Sequence, residues 1–322
     1  GIDGIKAEFK REIEGYKSPN YGDTAFKANP TKNQDNDLMA CLDSSIVEMA
    51  DKRYINASWC YDASCADQKY VLTQVPIVNM ESGAKGSLFD FWQMVFEQQT
   101  TCIIVFSEKE EGNHKNGDSY LPPMKDKFWP VLRSDGIGMD HLWALNQWDP
   151  HTGFPEWPGG HVLAMTTDIC PKPSRHVPSR EDKPGIDRAK QRGCQETKLL
   201  VRIKHVKRSQ WDTEKAAEIV KKLEEVKQAK PGPIVLVDDY SGTSRAAVFT
   251  AIDVTKAMLE KGKQEVTLRS VCKWLRRCRN GAIRTEDDYV FIVQVMFSLF
   301  LDKYVTTDQQ VEQMHKILYP KW

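Results

Sequence analysis

Val235-Leu236-Val237-Asp238-Asp239-Tyr240-Ser241-Gly242-Thr243-Ser244-Arg245 is the stretch whose reading decides the fold. Gly232-Pro233 ends a turn, and the apolar run from Ile234 to Val237 reads as a buried strand. Two acidic residues, Asp238 and Asp239, stand where the strand meets a short polar loop. Gly242 sits within that loop and Arg245 closes it. Residues 246–259 then read as a helix whose N-terminus faces the loop.

Other segments fall around this one in a fixed order. Arg53-Tyr54-Ile55-Asn56-Ala57-Ser58 and Tyr70-Val71-Leu72-Thr73-Gln74-Val75-Pro76 precede it, followed by Phe89-Asp90-Phe91-Trp92-Gln93-Met94-Val95 and the apolar strand Cys102-Ile103-Ile104-Val105-Phe106. Phe128-Trp129-Pro130 comes next. After the loop come Trp274-Leu275-Arg276-Arg277-Cys278-Arg279-Asn280-Gly281 and Thr285-Glu286-Asp287-Asp288-Tyr289-Val290-Phe291. In content and order these segments resemble those of the protein tyrosine phosphatases. The resemblance runs from about residue 5 to residue 304. It implies an α/β fold with a central twisted mixed sheet flanked by helices, in a single domain over 1–322.

The resemblance also locates a loss. In that family the strand ends in His-Cys, and the thiolate attacks phosphorus from a nest of loop amides at a helix N-terminus. Here Asp238 stands at the His position and Asp239 at the nucleophile position. A phosphate entering the loop would meet like charge. At ~4 Å and an effective dielectric of about 20, each such pair costs about 4 kcal/mol, and a dianion roughly doubles it. A general acid must protonate the leaving phenolate. The strand before the acid loop is Leu199-Leu200-Val201-Arg202-Ile203-Lys204-His205, and Val206-Lys207-Arg208 then aligns with Trp-Pro-Asp, so Arg208 takes the acid's place. A shifted register would instead offer Asp212. Arg284 aligns with the glutamine that positions the second-step water, and Asp35 with the tyrosine that stacks on the substrate ring.

The resemblance thus implies a pseudophosphatase with no catalytic residues. Its ligand-binding set would be Asp238, Asp239, Tyr240, Ser241, Gly242, Thr243, Ser244 and Arg245, with Asp35, Arg208 and Arg284 around them. Asp239 is expected to plug its own loop by accepting the loop amides and pairing with Arg245. The pattern of replaced loops is similar to that of the nematode egg-activation pseudophosphatases. These sequester and inhibit a tyrosine-phosphorylated dual-specificity kinase during development. That likeness implies a signalling role through a tyrosine-phosphorylated protein partner. Two other readings compete. One is a phosphate-independent scaffold with a vestigial pocket. The other is a phosphatase with an aspartate nucleophile, from a faint likeness to the haloacid-dehalogenase motif. That chemistry needs a second Asp two residues on, where Ser241 and Tyr240 stand.

Composition adds bounds. The chain has 322 residues with 45 basic and 45 acidic side chains, which argues for neither nucleic acid nor an anionic membrane as partner. No apolar run reaches the ~20 residues of a membrane span, so no insertion is expected from this segment. The eight cysteines are scattered without a Cys-x-x-Cys pair, and no histidine pair has ligand spacing. No cofactor or metal is expected. Buried free thiols in a cytoplasmic setting are the plain reading, with any cortical attachment left to flanking regions beyond Gly1.

Residues 2–17 read as an amphipathic helix through Ile5, Phe9 and Ile13, and 214–229 as a charged helix. Two helices, 268–279 and 286–304, close the domain. The stretch 133–196 reads as a long, largely irregular insertion containing Trp143, Trp148 and Trp157. Its tryptophans read first as packing residues; the sharper alternative is that the segment contributes an interface beside the pocket. Deleting residues 171–194 should leave the melting temperature unchanged and weaken partner affinity in a calorimetric titration. Unchanged affinity would count against that interface.

Overall fold

The computed structural model describes residues 1–38, 40–61, 68–77, 86–107, 128–129, 141–145, 160–169, 195–207, 211–238, 241–262 and 267–304. For 128–129, 141–145, 160–169, 195–198 and 301–304 it describes the backbone alone. The described strands are β1 (Ala57–Cys60), β2 (Tyr70–Gln74), β3 (Cys102–Ser107), β4 (Phe128–Trp129), β5 (His141–Leu145), β6 (Gly160–Ile169), β7 (Gln195–Lys207) and β8 (Ile234–Asp238). They form one sheet in the order β1-β2-β8-β3-β7-β6-β5-β4. The central four, β2, β8, β3 and β7, run parallel, and every other pairing is antiparallel.

The parallel centre explains its own sequence. Strands covered on both faces need apolar residues on both. Leu236 points into one core with Leu72, Ile104 and Phe106. Val235 and Val237 point into the other with Val71, Ile103, Val105 and Ile203. Helix α3 (Leu88–Glu97) covers the second face with Phe91, Trp92, Met94 and Val95. The first face is covered by α4 (Thr213–Ala229), α5 (Arg245–Glu260), α6 (Leu268–Cys278) and α7 (Glu286–Tyr304), with Ile219, Leu223, Phe249, Ile252, Leu275 and Ile292 in that core. A short helix, α2 (Thr24–Ala28), precedes β1. The outer edge of β1 is covered by the chain itself, since Val47 donates its N–H to Ala57 and Trp59 donates to Ser45.

Helix starts follow from local chemistry. Asp212 caps α4 through the Lys215 N–H at 2.8 Å. Thr267 and Ser270 form a reciprocal capping box at α6. Thr285 and Asp288 exchange backbone-to-side-chain bonds at 3.1 Å each before α7.

The N-terminal amphipathic helix is shorter than its pattern suggests. It runs as α1 (Ile2–Phe9) and then widens into a π turn over Lys10–Glu14, which keeps Ile5, Phe9 and Ile13 all buried. The segment that reads as irregular contributes β5, β6 and the start of β7, which extend the sheet antiparallel beyond β7. Trp143 lies in β5, opposite Ala164 and Phe128 in register. Strand pairing of this kind is set by partners distant in sequence, so the local pattern alone did not reveal it. Trp148, Trp157 and residues 171–194 lie outside the described residues. Cys41, Cys60, Cys102, Cys272 and Cys278 are free and buried, as expected; Cys65, Cys170 and Cys194 are not described.

A polar pillar stands within the first core. Tyr70 donates its hydroxyl to Asp253, and Lys227 Nζ lies 2.9 and 2.7 Å from the two Asp253 oxygens. Burial opposes the Lys227 charge, but Asp253 and Glu224 outweigh it and hold the ammonium above its usual range.

Glu8 of α1 is 2% exposed, near Tyr289 of α7 and Arg269 of α6. Burial raises its carboxyl above the usual range, against the pull of Arg269 and Arg11. The folded state therefore holds that proton more tightly than the unfolded chain does. The contribution to stability is favourable below the unfolded-chain value of about 4.3 and is lost as pH rises through the folded value. Glu8→Gln should stabilise the fold against urea at pH 7, with the gain shrinking as pH falls toward 4. A gain that grows on acidification would overturn this assignment.

Candidate functional site

The site lies at the carboxyl end of the parallel strands. Asp238 ends β8 and Arg245 begins α5, and Ser241–Ser244 lie between them. Asp239 and Tyr240 fall outside the described residues. Gly242 is required on two counts. Its φ is +63°, and a Cβ there would sit 2.6 Å from the Thr73 carbonyl oxygen of β2. The turn is so close to β2 that no side chain fits.

Arg279, just past α6, fixes the loop from below. It is 0% exposed. Its Nε donates to the Ser241 carbonyl at 2.8 Å and Nη2 donates to the same oxygen. Nη1 reaches Ser58 Oγ of β1 at 3.0 Å, and Nη2 reaches Asn56 Oδ1 at 2.8 Å. Burial lowers its pKa, offset by Cys41, Tyr54, Cys60 and Asp238. From the other side, Ile283 donates its N–H to the Thr243 carbonyl at 2.9 Å. Ile283 has φ +59° although it is β-branched and 0% exposed. That is strained backbone, held by the Thr243 bond and by Arg276 Nη2 on its carbonyl at 2.9 Å. Within the loop, the Ser241 and Thr243 hydroxyls share a hydrogen bond of 2.7 Å.

The charge arrangement centres on Asp238, which is 1% exposed. Its Oδ2 accepts the Ala246 N–H, in the first turn of α5, at 3.2 Å. Its Oδ1 lies 3.5 Å from Arg245 Nη1. The Arg245 side chain is 13% exposed. A carboxylate therefore already lies against the guanidinium and helix amide on which an anion would settle.

The surrounding residues divide as follows. Gln74, opposite Asp238 in register, accepts the Gln34 N–H at 3.0 Å and donates to the Lys32 carbonyl at 2.7 Å. Gln34 also donates to the Val75 carbonyl at 3.1 Å. The 32–38 loop is thereby tied to the same end of the sheet. Asp35 is in it, but its Oδ1 is used locally, accepting the Asp37 and Leu38 N–H groups at 2.9 and 3.2 Å. Arg284 follows Ile283 at the loop's rim, exposed and with no hydrogen bond or ion pair among the described residues. Arg208 is not described. Asp212 serves as the α4 cap, and Trp211 beside it packs 5.0 Å from Phe106 and 5.5 Å from Phe291.

Sequence reasoning assigned no role to Arg279, Asn56, Ser58 or Gln74. Arg279 follows an amphipathic helix as one of four arginines within 276–284, and spacing cannot tell which is swallowed whole.

The Protein-tyrosine phosphatase family pattern matches residues 29–131 and 188–298, well over half of the chain. The chain belongs to the protein-tyrosine phosphatase family. Tyrosine-protein phosphatase 3 of Dictyostelium discoideum is 22% identical over 277 residues, which cover 80% of this chain and 23% of that protein. Human tyrosine-protein phosphatase non-receptor type 13 is 24% identical over 322 residues, 98% of this chain and 11% of that protein. Rat tyrosine-protein phosphatase non-receptor type 7 is 24% identical over 251 residues, 75% and 55% respectively. The chain spans less than a quarter of the first two relatives. The family match leaves out residues 132–187, the stretch that holds β5 and β6.

Arg279→Met tests the support of the phosphatase loop. It would leave the Ser241 carbonyl, Ser58 and Asn56 without their buried donor and Asp238 without one positive neighbour. The expected loss is about 3 kcal/mol in chemical denaturation. A loss below about 1 kcal/mol would show that water replaces the guanidinium.

Proposed function

We propose that this domain is a pseudophosphatase: a tyrosine-phosphatase fold kept as a binding and inhibitory module for a phosphotyrosine-containing protein or kinase. The observation that carries the reading is the residue pair at the end of β8. Asp239 stands where the family places its nucleophilic thiolate, and Asp238 where it places the preceding histidine. A carboxylate lacks the softness of the thiolate, and the second Asp that aspartate-nucleophile chemistry needs two residues on is replaced by Tyr240 or Ser241. Asp212, the nearest aspartate to the acid loop, is engaged as a helix cap. The named relatives carry phosphatase titles, so the proposal is that this chain departs from them in activity while sharing their fold.

A kinase partner fits the likeness to the egg-activation pseudophosphatases, with cytoplasmic action in developmental signalling. A second reading, a scaffold that ignores phosphate, is favoured by the Asp238–Arg245 contact, because that contact uses the family's main phosphate ligand.

The first test is hydrolysis. No turnover of aryl phosphates is expected from pH 5 to 8, with or without magnesium. Asp239→Cys alone should also remain inactive, since Arg208, Arg284 and Asp35 are unchanged. Turnover of the unmodified chain near ordinary enzyme rates, ~1–10³ per second, would sink the proposal, whereas such turnover by Asp239→Cys would show that the acid loop is misplaced. Magnesium-dependent turnover of the unmodified chain would point instead to an aspartate nucleophile.

A further inference from the structure

We propose that Asp238 is the specificity-determining residue of the loop: it is the resident anion of the seat formed by Arg245 and the start of α5, and it turns phosphate away. The inference rests on the reading of the domain as a binding module and states what that module does not recognise. Three observations converge. Asp238 is buried, with 1% of its surface exposed. One of its oxygens takes the Ala246 N–H at 3.2 Å and the other faces Arg245 at 3.5 Å. Its charge also offsets the burial of Arg279, the residue that holds the Ser241 carbonyl.

The consequences are chemical. A helix N-terminus and an arginine attract one anion, and here the chain supplies it from the preceding strand. A phosphate dianion approaching Arg245 must either displace Asp238, which has nowhere else to go in a buried strand end, or sit beside it against like charge. The phosphate of a partner therefore gains nothing at Arg245. Its recognition falls to other surfaces, and the exposed guanidinium of Arg284 is the free cation that the described residues place at the loop's rim.

This differs from the expectation placed on Asp239, which is not described, so the two carboxylates must be separated by experiment. Binding of inorganic phosphate is measured by calorimetry at one salt concentration for the unmodified chain, Asp238→Asn and Asp239→Ser. A phosphotyrosine peptide and its unphosphorylated twin are titrated in parallel. The unmodified chain should bind inorganic phosphate poorly. Asp238→Asn should bind it at least roughly tenfold more tightly, about 1.4 kcal/mol, and Asp239→Ser should gain less. Equal phosphate affinity in the unmodified chain and Asp238→Asn overturns the proposal, as does a larger gain from Asp239→Ser.

Arg245→Met supplies a second reading should Asp238→Asn fail to fold. It should lower the melting temperature by several degrees, because Asp238 loses its partner, and leave the ratio of phosphorylated to unphosphorylated peptide affinity unchanged. An unchanged melting temperature, or a ratio that collapses, overturns the proposal. Failure of the binding-module reading would appear differently, as no affinity for a tyrosine-phosphorylated kinase in any variant, while the phosphate and melting measurements still decide the role of Asp238.

Discussion

Burying a guanidinium is expensive unless its donors find acceptors, and each nitrogen of Arg279 has at least one, in three parts of the molecule. It joins the loop through Ser241, the approach to β1 through Asn56, and β1 itself through Ser58. Those acceptors are fixed in turn. Thr73 of β2 holds the Asn56 carbonyl at 2.9 Å, and the same Thr73 carbonyl lies against Gly242. The loop between β8 and α5 is thus part of a closed polar network, and its position does not depend on a ligand. The strained Ile283 belongs to the same network, since the Thr243 carbonyl and Arg276 hold its backbone from both ends.

That independence bears on the proposal that the loop persists here without a phosphatase's chemistry. In an active site the nest of amides and the arginine are kept ready for a charge that arrives with substrate. A nest left empty and buried would be costly. Asp238 resolves the difficulty from within the chain. It is adjacent in sequence to the loop, it ends a strand that five-residue pairing on each side holds in register, and its carboxylate reaches the first turn of α5. The fold retains the electrostatic logic of anion binding and closes it on itself.

The fold was legible because its segments are locally explicit. An apolar run bounded by Gly232-Pro233 and a polar loop can be only a buried strand, and the flanking motifs occur in order. The helices α4 and α7 appeared within a residue of their expected starts because caps such as Asp212 and the Thr285–Asp288 pair announce them. The site was legible in its inventory but not in its wiring. Asp35 aligned with a substrate-stacking position, and one of its carboxylate oxygens is used in a local Asx turn, a contact that alignment does not see. Arg279 was one arginine among several. Asp239 was expected to pair with Arg245 and lies outside the described residues; the carboxylate described beside Arg245 is Asp238, to which sequence reasoning had given no such contact.

The antiparallel strands β5 and β6 bear on where a partner of the proposed binding module would dock. They continue the sheet from β7, the strand that leads toward the acid loop, and end it at the two-residue strand β4. With the phosphate seat closed as proposed, a binding protein needs another source of affinity, and area away from the loop is the remaining one. On the proposed reading, in which Asp238 occupies that seat, recognition of a protein partner would fall on surface such as the sheet beyond β7. Once Arg245 is paired internally, as proposed, selectivity must be built from groups outside that seat.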